Sequence, residues 1–297
     1  MFAMRLRRCL TMVSALSLAG CIHFEAPPEI QPEKTEDFQK RTLAALTGET
    51  EIKPGLKLAN RFAIENKREA RDYIAARLRA MDLVPQRHAY SAEGENVYAE
   101  LKCGKEGADA VILGAHYDSV RVAPGANDDA TGVVAVLAVA RELMKSKPKL
   151  HDVIFVFFDE EERGLVGSRN FAEMLKSTNR SVHSVHTIDQ VGWDSNKNRA
   201  IELELPFDGI VDVYKQAAAR LKMDIVIHTT TETGSDHTAF RRLGFKAVGI
   251  TEEYRNKDTT PYYHKATDTY ATVDFEYLAA TTRLVAEAMR ELTQKIR

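Results

Sequence analysis

Apolar runs alternate with amphipathic stretches through the middle of the chain. The runs at 110–115 and 153–158 are apolar throughout, and 182–188 is a third candidate strand. Between these runs, 131–144 and 166–175 have the apolar spacing of helices. Strands that are apolar on both faces and alternate with helices are typical of a buried, largely parallel sheet. The pattern predicts an α/β fold of three layers, α/β/α, with a mixed, mostly parallel central sheet.

Further elements flank this central pattern on both sides. Residues 96–101 alternate between apolar and polar side chains, as a half-exposed strand does. The other predicted elements are helices near 37–46, 67–81, 210–221, 237–243 and 275–296, and strands near 87–90, 224–227 and 247–250. We see no internal repeat or low-complexity tract, so the sequence predicts one domain over 37–297.

The N-terminal segment follows a different pattern. Residues 1–8 are basic, and 9–20 are apolar but too short to cross a bilayer, which is the layout of a secretory signal. The signal ends in Leu-Ala-Gly-Cys at 18–21, which resembles the lipobox of bacterial lipoproteins. The resemblance implies a signal peptide over 1–20 and a lipid on Cys21. An ordinary signal peptide is the alternative. Residues 21–36 contain three prolines and are predicted to be a tether.

Composition and charge narrow the possible functions. Hydrophobic residues make up 44% of the chain and charged residues 28%, which is ordinary for a globular protein. Loss of the signal with its three arginines would reduce 41 basic residues to 38, against 43 acidic ones. This balance gives no sign of nucleic-acid binding. With Cys21 lipidated, Cys103 would be the one remaining thiol of the mature chain, so no internal disulfide is expected.

Polar side chains follow the three central strands at their carboxyl ends. His116 and Asp118 come after the first strand, Glu161 and Glu162 after the second, and Asp189 at the end of the third. Ligands of open parallel sheets bind at this edge. Each residue alone is weak evidence, but packed carboxylates repel one another unless a cation compensates them. Because imidazole and carboxylate together suit zinc, the sequence predicts a metal site here.

The segment between the first central strand and its helix adds two more acids to this edge. Asp128 and Asp129 lie in the sequence Pro-Gly-Ala-Asn-Asp-Asp at 124–129. Either aspartate could instead cap the helix that begins near Ala130. The spacing alone leaves both interpretations open.

Taken in order, these stretches resemble the co-catalytic two-zinc aminopeptidases. That family includes secreted bacterial leucyl aminopeptidases and, more distantly, glutamate carboxypeptidases and glutaminyl cyclases. The matching stretches are 114–119, 124–132, 161–168, 189–192, 234–237 and 263–269. The resemblance extends from about Glu65 to the C-terminus. It implies a zinc exopeptidase-like fold and an enzyme that removes amino acids from the free N-terminus of peptides.

The resemblance also assigns two zinc ions to the predicted metal site. Asp128 would bridge both ions with its two oxygens. His116 and Asp189 would complete one site, and Glu162 and His264 would complete the other. A hydroxide shared by the two ions would attack the scissile carbonyl. Cobalt and manganese remain alternative metals, because affinity order alone does not decide the native metal.

Four further residues receive roles in catalysis or binding. By resemblance, Glu161 would be the general base and Asp118 would accept the far ring N–H of His116. Tyr263 could stabilise the oxyanion, although packing is the alternative. Glu252 follows the strand that ends near 250 and could meet the substrate amine, with packing again the alternative.

Three other functions fit the same fold. The first is a glutaminyl cyclase with one zinc ion, but the cyclases carry an insertion where Glu162 here runs directly into 163–168. The second is a carboxypeptidase or dipeptidase, whose inserted lid or dimerisation domain has no counterpart of sufficient length. The third is an inactive binding lipoprotein, which the presence of every expected ligand and of the base argues against.

The predicted partners are peptides with a free N-terminus and a membrane, which the protein would reach through the lipid on Cys21. Ile22, rather than an aspartate, follows that cysteine. By resemblance to bacterial lipoproteins, this favours the outer membrane, facing the periplasm. A monomer is expected, and the sequence does not indicate which N-terminal side chain is preferred.

Overall fold

An eight-stranded sheet lies at the centre of the computed structural model, which describes residues 33–146 and 148–294. In chain order the strands are β1 Gln86–Ala89, β2 Glu95–Leu101, β3 Ala110–His116, β4 Asp152–Phe158, β5 Val182–Ile188, β6 Ile201–Glu204, β7 Ile227–Thr230 and β8 Ala247–Thr251. Their order in the sheet is β1-β2-β4-β3-β5-β8-β6-β7. The central strands β4, β3, β5 and β8 are parallel, whereas β2 and β6 pair with them antiparallel. The predicted mixed, mostly parallel sheet is confirmed.

Helices cover both faces of the sheet. The α-helices of the described chain are α1 Thr35–Leu46, α2 Ile64–Arg79, α3 Thr131–Lys145, α4 Val166–Ser177, α5 Ile210–Arg220, α6 His237–Arg242 and α7 Phe275–Thr293. A π turn at Ala126–Ala130 precedes α3, a 3₁₀ turn at Glu161–Arg163 follows β4, and another at Tyr270–Thr272 precedes α7. None of the described helices has the length and apolar character needed to cross a bilayer.

Two separate hydrophobic cores lie on opposite faces of the sheet. Along β3, Val111 and Leu113 belong to the core that also contains residues of α1, α2, α3, α5 and α7. Ala110 and Ile112 belong to the other core, beneath α4 and α6. Because successive side chains of a strand point to opposite faces, both sets must be apolar when helices cover both faces. This explains why the central strands appear in the sequence as unbroken apolar runs.

The structure differs from the sequence prediction at one edge of the sheet. β6 was not predicted, because its four residues Ile-Glu-Leu-Glu alternate as in a solvated strand although all four are buried. β7 begins at Ile227 rather than near Asp224, since it pairs with β6 from Ile201 onward. Helix α1 begins at Thr35, within the predicted tether. Residues 1–32, including the predicted signal peptide and Cys21, lie outside the described chain.

A buried arginine ties the loop that follows β3 to the C-terminal end of α1. Arg61 is 0% exposed. Its Nε donates to the carbonyl oxygen of Tyr117 at 2.7 Å, and its Nη2 donates to that of Gly125 at 2.7 Å. Its Nη1 donates to the carbonyl oxygens of Leu46 and Pro124. One guanidinium therefore donates to four backbone carbonyls and holds the end of α1 against the loop that follows β3.

We expect Arg61→Lys to lower the free energy of unfolding by about 3 kcal/mol or more, because an ammonium lacks the planar fork and leaves buried carbonyls unpaired. Arg68→Lys is the matched control, since Arg68 is exposed on α2. Urea unfolding followed by circular dichroism measures both variants. Equal midpoints for the two would show that the Arg61 hydrogen bonds contribute nothing specific.

Candidate metal centre

Five side chains that the sequence predicts as metal ligands meet at the carboxyl edge of the central strands. They come from His116 at the end of β3, Asp128 in the π turn, Glu162 in the 3₁₀ turn after β4, Asp189 directly after β5, and His264 in the segment between β8 and the second 3₁₀ turn. Their ligand atoms form two groups, each spanning less than 4.8 Å. The first group is His116, Asp128 and Asp189, and the second is Asp128, Glu162 and His264.

Asp128 belongs to both groups and turns one oxygen to each. Its Oδ1 lies 3.1 Å from Nε2 of His116, and its Oδ2 lies 3.3 Å from Nε2 of His264. Nε2 of His264 is also 3.0 Å from Oε2 of Glu162, and Nε2 of His116 is 3.8 Å from Oδ1 of Asp189. Tetrahedral zinc ligands lie about 3.3 to 3.6 Å from one another. Each group therefore has a spacing that suits a metal ion.

Several polar atoms of the centre are buried without a hydrogen-bond partner in the described chain. They include Nε2 of His116, Oε1 of Glu162 and Oδ1 of Asp189. His116 is only 1% exposed. Buried polar atoms of native proteins are nearly always paired, and coordination to a cation would satisfy these atoms. The donor set of imidazole and carboxylate fits zinc.

The electrostatics of the centre are dominated by crowded acids. Burial raises the pKa of Glu162 to about 8, and the neighbouring carboxylate of Asp128 adds to the increase. Burial likewise raises the pKa of Glu161 well above its usual range. For His116, burial opposes protonation, but the carboxylates around the ring outweigh it and raise the pKa. A bound cation would relieve this repulsion.

Asp118 joins the first histidine to the turn that carries both glutamates. Its Oδ1 lies 3.3 Å from Nδ1 of His116. Its carboxylate also accepts the backbone N–H groups of Glu161 at 3.1 Å and Glu162 at 3.3 Å. Oε2 of Glu161 lies 4.0 Å from Nε2 of His116. One carboxylate thus lies between the ring of His116 and the backbone of the turn that carries Glu161 and Glu162.

The turn that carries Asp128 is held by residues to which sequence reasoning gave no role. Asp268 accepts the backbone N–H groups of Asn127 at 2.8 Å and Asp128 at 3.2 Å. The side chain of Asn127 accepts the backbone N–H of Gly192 at 2.7 Å. Gly125 has φ 67°, and a Cβ there would lie 2.4 Å from the carbonyl oxygen of Asp128. Asn127, Gly125 and Asp268 all lie in stretches that carry the family resemblance, so that resemblance is the sequence signal that could have identified them.

Asp129 behaves differently from Asp128 although the two are adjacent. Its Oδ1 accepts the backbone N–H of Gly132 in the first turn of α3 at 2.8 Å. A Cβ at Gly132 would lie 2.4 Å from the same carboxylate, so glycine is required for this approach. Asp129 therefore interacts with the start of α3, as one of the two interpretations proposed, whereas Asp128 belongs to the cluster of candidate ligands.

The two residues predicted to meet substrate lie in different environments. Glu252 is 0% exposed. Its oxygens accept hydrogen bonds from the side chains of Asn127 and Thr259 and from the backbone N–H groups of Trp193 and Thr260. With four donors already bound, no oxygen remains for a substrate amine, so we revise the role of Glu252 to support of the Asn127 turn. Tyr263 is 41% exposed, and its ring stacks on His264 at 3.8 Å.

Most of the chain matches the model of a known protein family. Residues 96–289 match the model of peptidase family M28. The chain belongs to peptidase family M28. The predicted resemblance to zinc aminopeptidases is thereby confirmed.

Curated relatives of this M28 protein include named aminopeptidases. Aminopeptidase YwaD of Bacillus subtilis is 30% identical over 192 residues, which are 63% of this chain and 42% of the relative. The probable lipoprotein aminopeptidase LpqL of Mycobacterium tuberculosis is 46% identical over 85 residues, which are 29% of this chain and 17% of the relative. The chain spans about half the length, or less, of the first curated relatives that it matches.

Solved structures share the fold of this M28 protein. BSAP, a zinc aminopeptidase from Bacillus subtilis, has a TM-score of 0.62 at 26% identity and covers 68% of this chain and 50% of its own. LapB of Legionella pneumophila has a TM-score of 0.76 at 23% identity, over 87% and 72% of the two chains. Porphyromonas gingivalis glutaminyl cyclase has a TM-score of 0.69 at 20% identity, over 86% and 98%. The last two likenesses show the fold alone.

Proposed function

We propose that this M28 protein is an aminopeptidase that hydrolyses the N-terminal peptide bond of peptides. The observation that carries the proposal is the pair of residue groups that share Asp128, with Glu161 beside them. A shared carboxylate flanked by two histidines and two further acids is an arrangement that can hold two cations side by side. Membership of a peptidase family and the named aminopeptidases among the relatives support the reaction.

The metal that we propose is zinc, with two ions per chain. His116, Asp128 and Asp189 would hold one ion, and Asp128, Glu162 and His264 would hold the other. The relative BSAP is described as a zinc aminopeptidase. When bound, zinc polarises a carbonyl oxygen and lowers the pKa of water, which is the chemistry that peptide hydrolysis needs.

The protein's own residues would then move the protons. We propose that Glu161 takes the proton of the attacking water and later gives it to the leaving amine. Asp118 fixes the backbone of Glu161 through a hydrogen bond of 3.1 Å, so the base is held in place. Burial raises the pKa of Tyr263, which keeps its hydroxyl protonated and able to donate to the oxyanion.

The proposed activity predicts which aminoacyl nitroanilides the protein cleaves. The full chain, purified in detergent and loaded with zinc, should cleave substrates with a free α-amine and leave their N-acetylated counterparts intact. Chelation should abolish cleavage and added zinc should restore it, with two zinc ions per chain by elemental analysis. Cleavage of acetylated substrates would contradict an aminopeptidase. Cyclisation of N-terminal glutamine without hydrolysis would favour the glutaminyl cyclase alternative.

If Glu161 is the general base, its substitution should lower turnover without lowering zinc content. Glu161→Gln should retain zinc, since Glu161 lies in neither ligand group, but should lose about 100- to 10,000-fold in kcat. Glu173→Gln, an exposed change of the same charge on α4, is the control. Steady-state kinetics and elemental analysis of both variants measure the effect. Retention of more than a tenth of the activity by Glu161→Gln would remove Glu161 from the mechanism.

We also propose that the protein is a lipoprotein of the outer membrane that faces the periplasm and is anchored through Cys21. The Leu-Ala-Gly-Cys sequence at 18–21 supports this, as does the name of the lipoprotein relative LpqL. Labelled palmitate should be incorporated by the native chain and by Cys103→Ser but not by Cys21→Ser. Gradient fractionation should place the labelled protein with outer membranes. An unlabelled native chain would exclude the anchor.

A further inference from the structure

A small cavity lies directly beside the candidate metal centre. Asp189 of the first ligand group forms one wall, and Tyr263, which stacks on His264, forms another. Its volume is about 100 Å³. Pockets for whole small-molecule ligands are usually about 300 to 1,000 Å³, so this cavity has room for little more than one side chain.

Glu204 of β6 lies in this cavity without a partner. It is 7% exposed, and its carboxylate accepts no hydrogen bond from any residue of the described chain. Among the described residues, the ionisable group paired most closely with Glu204 is His237, whose Nδ1 lies 3.6 Å from Oε2 of Glu204. That distance is too long for a hydrogen bond. A buried carboxylate in this position is costly unless something in the cavity pairs with it.

The protonation state of His237 shows that its ring donates no hydrogen bond to Glu204. Its Nε2 lies 3.1 Å from the carbonyl oxygen of Glu232 and must donate the ring proton there. Burial lowers the pKa of His237 to about 4, so the ring is neutral near pH 7. Nδ1 therefore carries a lone pair and has no proton to donate to Glu204 across the 3.6 Å gap.

Other lining atoms share the same lack of donors. Oε1 of Gln190 and Oγ of Ser235 are buried and have no hydrogen-bond partner in the described chain. Glu232 at the same cavity is balanced, because it forms an ion pair with Arg255. Burial raises the pKa of Glu204 to about 8, and Asp189 contributes to the increase. The cavity therefore presents the carboxyl group of Glu204, which is largely protonated near pH 7 until a cation in the cavity pairs with it.

We propose that this cavity receives the side chain of the substrate's N-terminal residue and that Glu204 selects a basic one, lysine or arginine. The inference rests on the proposed aminopeptidase function. An ammonium group in the cavity would donate to the carboxylate of Glu204, which receives no hydrogen bond from the described chain. The aliphatic stem of such a side chain packs well against aromatic walls, which Tyr254 and Tyr263 supply. An apolar side chain such as leucine would instead leave Glu204 unpaired.

The test compares lysyl and norleucyl nitroanilides, which share the aliphatic chain and differ in the ammonium group. We expect the zinc-loaded full chain to favour lysyl by about tenfold or more in kcat/KM. Glu204→Gln should reduce this ratio about tenfold, and Glu204→Leu should invert it. Glu173→Gln, which removes one exposed charge, should leave the ratio unchanged. Because each ratio comes from one preparation, a lower folded fraction does not affect it.

The outcomes separate this inference from the function on which it rests. Equal or better cleavage of norleucyl or leucyl substrates by the native chain overturns the basic preference, while the aminopeptidase function stands. A preference for glutaminyl substrates also overturns it, because a neutral amide would then satisfy Glu204. An unchanged ratio in Glu204→Gln assigns the preference to another group. Failure to cleave any free-amine substrate overturns both proposals.

Discussion

Mutual repulsion among buried carboxylates is the constraint around which this protein is built. Asp118, Asp128, Glu161, Glu162 and Asp189 converge on one patch at the carboxyl edge of the sheet. Isolated from water, these groups would protonate or separate, so the fold has to supply compensating charge and donors. Histidines, backbone N–H groups and a buried guanidinium supply part of that compensation. The proposed zinc ions would supply the rest, and metal binding and integrity of the centre would then be interdependent.

The scaffold meets this constraint through supports that lie beneath the candidate ligands. Asp268 and Asn127 fix the turn that carries Asp128, while Asp118 fixes the turn that carries both glutamates. Arg61 fixes the loop between β3 and that first turn through its backbone carbonyls. Glu252 belongs to this supporting layer. Such contacts limit how far the ligand atoms can move, and a metal site needs its ligands held to within fractions of an ångström.

The cavity beside the centre shows how selectivity can change while the chemistry stays the same. Asp189 forms part of both the first ligand group and the cavity wall, so the two are coupled by one side chain. Glu204, in contrast, belongs to a short strand near the edge of the sheet, distant in sequence from every candidate ligand. A substitution there would alter what the cavity accepts without removing a ligand. Differences of preference among proteins of this fold can arise in this way.

The sequence by itself determined the central layers and the set of candidate ligands. Unbroken apolar runs predict β3 and β4 because burial on both faces excludes polar residues, and the positions of His116, Glu162 and Asp189 follow because parallel strands end at one edge. Tertiary structure alone decided β6, since Ile-Glu-Leu-Glu has the alternation of a solvated strand and is buried only because β7 and β8 flank it. It also decided the roles of Arg61, Glu252 and Glu204. A buried charge has the same local sequence signal as an exposed one, and only the groups that surround it in space determine whether it supports the fold, binds a substrate or remains unpaired.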